Sequence, residues 1–450
     1  MWPRRVLSIA ALAGFCAGCP ATGDEVRPPE DQFYFPTGMD VSPDQETLFV
    51  ASANSDLRYD SGSVQVVDLR TVDNIIEDWL GSGEAPEDLD CAVDLLVPYT
   101  LVCDENEVIR RSSSVRIGNF ATDLKVQALD DPDLLRLFVA VRGDPSLTWI
   151  DYDVQAHQLR CSSSSGYAEC DDEHRLIQLR NDEDFVSLPP EPFGVYVDST
   201  LGYVVMTHLQ NGAITLADAP PDGEAPIVSD AIGNLFAGDP QTGFRAAVGV
   251  AGRAPGTPND RIYVTSSLEA RVQTLIAVRP QGGGLPTLVP AEFFFMSRGV
   301  TTSNIGRGIA FASDGSHAYI VNRAPPMLHI IDTSLDALGV PRNAFVGAVE
   351  LCPEAANLTV TTIQDRERIF VSCFRNGQVW SIDPRGAVVD SIIEVGRGPH
   401  ALVAAPGRNR LYVSNNLEGT VAVVDLTPGA ETENRVVLRL GRPQSAGEAP

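Results

Sequence analysis

The chain is nearly free of lysine: among 33 basic residues Lys125 stands alone, and 60 acidic residues leave a formal charge of −27. A surface of that sign repels the phosphates of nucleic acid and anionic lipid headgroups, which argues against either as a partner. The heavy use of arginine reads as coding bias. Long apolar runs are also missing: after residue 15 none reaches the ~20 residues that a helix needs to cross a bilayer. Catalytic signatures are absent too. The sequence contains no G-x-S-x-G elbow, H-E-x-x-H helix, Walker loop or EF-hand loop. Its one C-x-x-C is followed by Pro20, not by the histidine that haem attachment requires. The six histidines, at 157, 174, 208, 317, 329 and 400, show no metal-ligand spacing. No catalytic residue, metal or cofactor is therefore expected from local motifs. A site assembled from distant segments would leave none.

What is present begins with the N-terminus, "MWPRRVLSIAALAGFCAGCP". Arg4 and Arg5 precede an apolar run from Val6 to Phe15 and then small residues, the layout of a secretory signal. Cys16-Ala17-Gly18-Cys19 resembles a bacterial lipobox, with Cys16 standing where leucine is usual. The resemblance implies removal of residues 1–18, lipidation of Cys19 and attachment to a membrane; an ordinary signal peptide cut nearby is the other reading. Pro20 occupies the place of the aspartate that retains lipoproteins at the inner membrane, so the resemblance points to the outer membrane. Residues 19–32 form an acidic, Pro-rich tether with nothing to bury, and 442–450 form a frayed tail. Loss of Arg4 and Arg5 would bring the charge to about −29.

Six further cysteines remain: Cys91, Cys103, Cys161, Cys170, Cys352 and Cys373. An even count in an exported chain argues for disulfides, with several connectivities open. Proximity suggests 91–103, 161–170 and 352–373.

The rest of the chain repeats itself. "LYVSN", a turn at Glu418-Gly419, and "TVAVVD" form a hairpin at 411–425, and comparable hairpins occur at 48–68, 137–151, 203–218, 262–276, 318–332 and 369–383. Six of the seven end in Asp: Asp68, Asp151, Asp218, Asp332, Asp383 and Asp425. Each is preceded by a short apolar strand such as "GIAFA" and followed by another such as "RVVLRL". Four antiparallel strands per unit, repeated seven times, predict an all-β, seven-bladed propeller over residues 33–441, because stacking around an axis buries both faces of each sheet. "PTGMDVSPD", "GRGIAFASDGSHAYIVN" and "GPHALVAAPGRNRLYVSNNLEGTVAVVDL" resemble the YVTN-type propeller repeat. An eight-bladed ring would use the 89 residues between the first two "LFV" stretches, but that segment has no second hairpin of this kind.

In such a blade the first strand lines the channel, so its start, the end of the second strand and the second-to-third loop share one face. Aligning the residue before each first strand's Gly position predicts a ring of Thr37, Thr122, Phe193, Arg245, Arg307, Asn357 and His400 at one mouth. His208, Ser266, Asn322, Asn415 and Cys373 fall just outside it, and Cys352 shares the face with Cys373. Insertions at 71–113 and 153–174 are expected to decorate the opposite face. The candidate ligand-binding residues are thus Arg245, Arg307, Asn357, His400 and His208, with paired guanidiniums suited to a carboxylate or phosphate. The competing reading has these arginines paired with neighbouring acids. The recurrent Asp residues read as turn-bonding groups.

Two functions follow. The first is a non-catalytic, lipid-anchored scaffold of the cell envelope that binds another envelope protein, a glycan or a small anion. The second is a propeller enzyme of lactonase or oxidoreductase type; its counterargument is that the predicted ring holds no carboxylate and one histidine.

Overall fold

A computed structural model describes residues 26–164, 166–179, 186–257, 260–296 and 305–443. The expected signal segment, residues 19–25 of the tether, Cys19 among them, and most of the tail lie outside them; residues 26–32 lie against the propeller instead of hanging free, with Pro28 buried and the carbonyls of Val26, Pro29 and Glu30 accepting from the Asp60 amide and the Tyr167 and Ser114 hydroxyls. Among the described residues no helix is long and apolar enough to cross a membrane.

Seven antiparallel sheets stand around one axis, each based on four strands. In blade 7 these are Pro399–Ala405, Arg410–Asn415, Thr420–Asp425 and Arg435–Leu440, paired in chain order. The first strands of neighbouring blades touch all the way round, and that of blade 7 returns to blade 1. Alternating apolar residues on both faces of the second and third strands explain the packing: each sheet is sandwiched, so these strands are buried along their whole length. Between blades 6 and 7, for example, Phe370, Val379 and Ile393 meet Leu411, Val413, Ala422 and Val424.

The insertion at 71–113 departs from expectation. It does not merely decorate a face; it clasps the ring closed. Helix Leu69–Ser82 is capped by the Asp68 carboxylate, which accepts from the Arg70 and Thr71 amides, and ends at Gly83 with φ 72°. Val72, Ile75, Ile76 and Trp79, spaced for one helical face, enter the core shared by blades 1 and 7. The following hairpin, Cys91–Val93 with Leu101–Cys103, then adds to the outer strand of blade 7 in parallel, Leu101 opposite Leu438 and Cys103 opposite Leu440. Sequence patterning misses this because a parallel partner 337 residues away, as from Leu101 to Leu438, leaves no local trace. In blade 2 the expected fourth strand at 175–180 is broken: Arg175–Leu176 pairs with the third strand, whereas Gln178–Leu179 pairs with Val186–Ser187.

All three disulfides join the pairs suggested by proximity, 91–103, 161–170 and 352–373. The first locks the clasp hairpin, the second an inserted loop of blade 2, and the third ties the exit of blade 5 to the second strand of blade 6.

Candidate functional site: the channel mouth

Every first strand carries a bulge just after its first paired residue. A bulge adds an unpaired residue and re-aims the side chains beside it. Followed through the ladder partners, the ring at the mouth is Thr37, Thr122, Phe193, Val248, Arg307, Ala356 and His400. Two expected members are therefore displaced. Val248 stands where Arg245 was expected, and Ala356 where Asn357 was: in blade 4 it is Gly249, not Ala246, that holds the place of Gly38 in blade 1, and in blade 6 Asn357 holds it with no glycine to mark it.

The ring opens into a cavity of about 460 Å³ lined by all seven residues. Arg245 is not among the lining; its guanidinium donates to the Phe236 carbonyl at 2.8 Å, holding the loop between blades 3 and 4. Asn357 does line the cavity, but its amide donates to the His400 carbonyl at 3.2 Å and so ties blade 6 to blade 7. His208 is fully buried away from the cavity. Its Nδ1–H donates to the Pro190 carbonyl and the Thr215 hydroxyl donates to Nε2 at 2.8 Å. Burial pushes its pKa down to about 4. His208 is a neutral core residue.

Four cations line the cavity: Lys125, Arg142, Arg307 and Arg323. Three are matched. Lys125 Nζ meets Asp123 at 3.2 Å, Arg142 pairs with Glu191, and Arg323 with Glu354 at 2.9 Å. Arg307 has no carboxylate or hydrogen-bond partner among the described residues, and its Nε is buried. Burial, reinforced by the charge of Arg323, lowers its pKa to about 10, which still leaves it cationic at neutral pH. An unmatched, partly buried charge is costly, so this position is primed for an anion.

His400 stands two blades away in the same ring, with only the methyl of Ala356 between. Its Nδ1 lies 2.9 Å from the Thr37 carbonyl. A carbonyl only accepts, so Nδ1 carries the proton and Nε2 keeps its lone pair. Burial lowers the His400 pKa, and Arg307 adds to this.

The sequence reading also missed two carboxylates on the channel wall. Asp123 accepts from the Leu124 and Val195 amides, both at 2.9 Å, and Asp40 accepts from Val41 at 3.0 Å and Val126 at 2.9 Å. Each thus stitches its blade to the next. Both flank Lys125, whose pKa they raise. The isolation of Lys125 as the one lysine, two residues from Asp123 on a first strand, was the available signal.

The recurrent Asp residues are structural here. Asp151 pairs with Arg136, Asp218 with Arg279, and Asp425 with Arg410. Asp332 and Asp383 accept from turn amides two residues on, at Ser334 and Arg385. Among the described residues no cluster of three or more His, Cys, Asp or Glu could hold a metal ion.

Comparison with known proteins places the fold and nothing finer. No protein-family model and no curated protein matches the chain. Solved propellers do. A protein provisionally named 6-phosphogluconolactonase from Bacteroides fragilis is 12% identical with a TM-score of 0.56, over 88% of this chain and 98% of its own. A second of that name from Bacteroides uniformis is 11% identical with a TM-score of 0.55, over 87% and 95%. Hydrazine synthase from Kuenenia stuttgartiensis is 12% identical with a TM-score of 0.53, over 92% and 99%. At such identities the likeness establishes a seven-bladed β-propeller that resembles these proteins in architecture.

Proposed function

We propose that this protein is a lipid-anchored propeller of the bacterial outer membrane that binds a small anion at its channel mouth without transforming it. One observation carries the binding reading: Arg307, cationic and unmatched, faces a cavity in which every other cation has its own acid. The envelope location rests on the signal and lipobox resemblance, with Cys19 as the lipidated residue. Titration calorimetry of residues 20–450, disulfides intact, with sulfate and phosphate tests the site. Saturable binding that Arg307→Met removes supports the reading; no binding, or binding indifferent to that change, overturns it. For the anchor, Cys19→Ala in cells should release the protein from the membrane fraction.

A second reading, lactone hydrolysis, draws on His400. A neutral imidazole with Nε2 open to the cavity can take a proton from water attacking a lactone carbonyl, while Arg307 holds an anionic tail. The names of two similar propellers make 6-phosphogluconolactone the first compound to try. Ring opening above the uncatalysed rate that His400→Gln abolishes would favour this reading. Turnover equal to buffer would dismiss it.

A further inference from the structure

Resting on the anion-binding reading of the same mouth, we infer that the ligand is an organic acid with a planar apolar body, an aryl carboxylate in kind, and not a bare oxyanion or a polyhydroxy acid. The ring is two-sided. Arg307 and His400 flank Ala356, whose small side chain leaves a gap between them for an acid group. On the other side of Arg307 stand Val248 and then Phe193, which offer no hydrogen bond.

Two more phenyl rings join Phe193 around the cavity, Phe120 and Phe374. Both are held by the backbone. Phe120 has φ 61°, a left-handed conformation unusual outside glycine, and is kept there by its amide on the Ala53 carbonyl at 2.7 Å and its carbonyl under the Arg142 amide at 3.1 Å. Phe374 follows Cys373, whose disulfide to Cys352 pins the start of its turn. All three are only partly buried and line the cavity. A backbone fixed in advance reduces the freedom that these residues lose when a flat ligand stacks on them.

Size points the same way. A cavity of about 460 Å³ falls in the range of small-molecule sites. A sulfate or acetate would fill a small part of it and leave the phenyl rings of blades 2, 3 and 6 wet. The outer charge of −27 repels small anions at long range, so charge alone gives a poor hold and the apolar body must supply the rest.

The test titrates four probes into residues 20–450: acetate, sulfate, gluconate and 2-naphthoate. 2-Naphthoate should bind at least ten-fold more tightly than acetate. Phe193→Ala and Phe374→Leu, at half-buried positions and with the fold of each variant checked by circular dichroism, should each weaken 2-naphthoate about five- to ten-fold and leave sulfate unchanged. Arg307→Met should weaken both. If sulfate binds through Arg307 but 2-naphthoate gains nothing over acetate, or gluconate binds more tightly than 2-naphthoate, this inference falls and the anion site stands. If no probe binds, both fall. Binding of 2-naphthoate untouched by Arg307→Met also overturns it, since the acid group would then play no part.

Discussion

The two sides of the channel treat charge in opposite ways. On blades 1 and 2, Lys125 lies between Asp40 and Asp123, and both carboxylates are saturated by backbone amides of their own and the neighbouring strand. On blades 5 to 7, Arg307 is unmatched and His400 keeps one nitrogen open to the cavity. The first arrangement holds blades together, and the second waits for something to hold. A census of charged residues would rank the first side higher. What marks a site is the group whose interactions are incomplete.

The largest effect should come from breaking the balanced side. Asp123→Ala removes the acceptor of two buried amides and a partner of Lys125, and should cost about 3 kcal/mol in urea unfolding. Sulfate binding should survive in the folded fraction. Breaking the unbalanced side should do the reverse: Arg307→Met should lose about a hundred-fold in anion affinity, or about 2.7 kcal/mol, while the unfolding free energy holds or rises by about 1 kcal/mol as an unmatched charge disappears. Loss of stability in Arg307→Met would mean that the arginine is structural and the contrast false.

The seam between the two sides is the junction of blades 7 and 1, closed by the clasp. Replacing Cys91 and Cys103 by alanine should cost about 2 kcal/mol through the freed loop of the unfolded chain, with anion affinity unchanged. A change in affinity would show that the clasp also shapes the mouth. The smallest effect is acid sharpening. His400 is neutral at pH 7, with its folded pKa below the ordinary 6.5. A bound anion favours the imidazolium, so sulfate affinity should rise several-fold as pH falls from 7 to 5, and His400→Gln should flatten the profile. The same depressed pKa means the unfolded chain takes up the proton first. The stability due to neutral His400 is therefore present above pH 6.5 and declines as pH falls below it.

Much of the fold was legible from local patterns. The hairpins, six of seven ending in Asp, mark the middle strands of the blades, and the three disulfides could be paired by proximity because 91–103 and 161–170 each lie within one inserted segment and 352–373 joins segments that the repeat brings together. The candidate site was legible only in part. Arg307 and His400 line the mouth as expected, but Arg245 does not, since "RAAVG" offers two small residues, Ala246 and Gly249, for one strand position and only the pairing with the second strand chooses between them. Asp40 and Asp123 went unnoticed because their amide partners, Val126 and Val195, belong to the next blade.

By itself, then, the sequence determined the repeat: strand alternation has a period of two and turns depend on a few adjacent residues, so both are written locally. Tertiary structure decided which side chains face the channel, which charges find partners, and how blade 1 grips blade 7. These depend on register between segments far apart in the chain, where a slip of one residue sends a side chain to the opposite face.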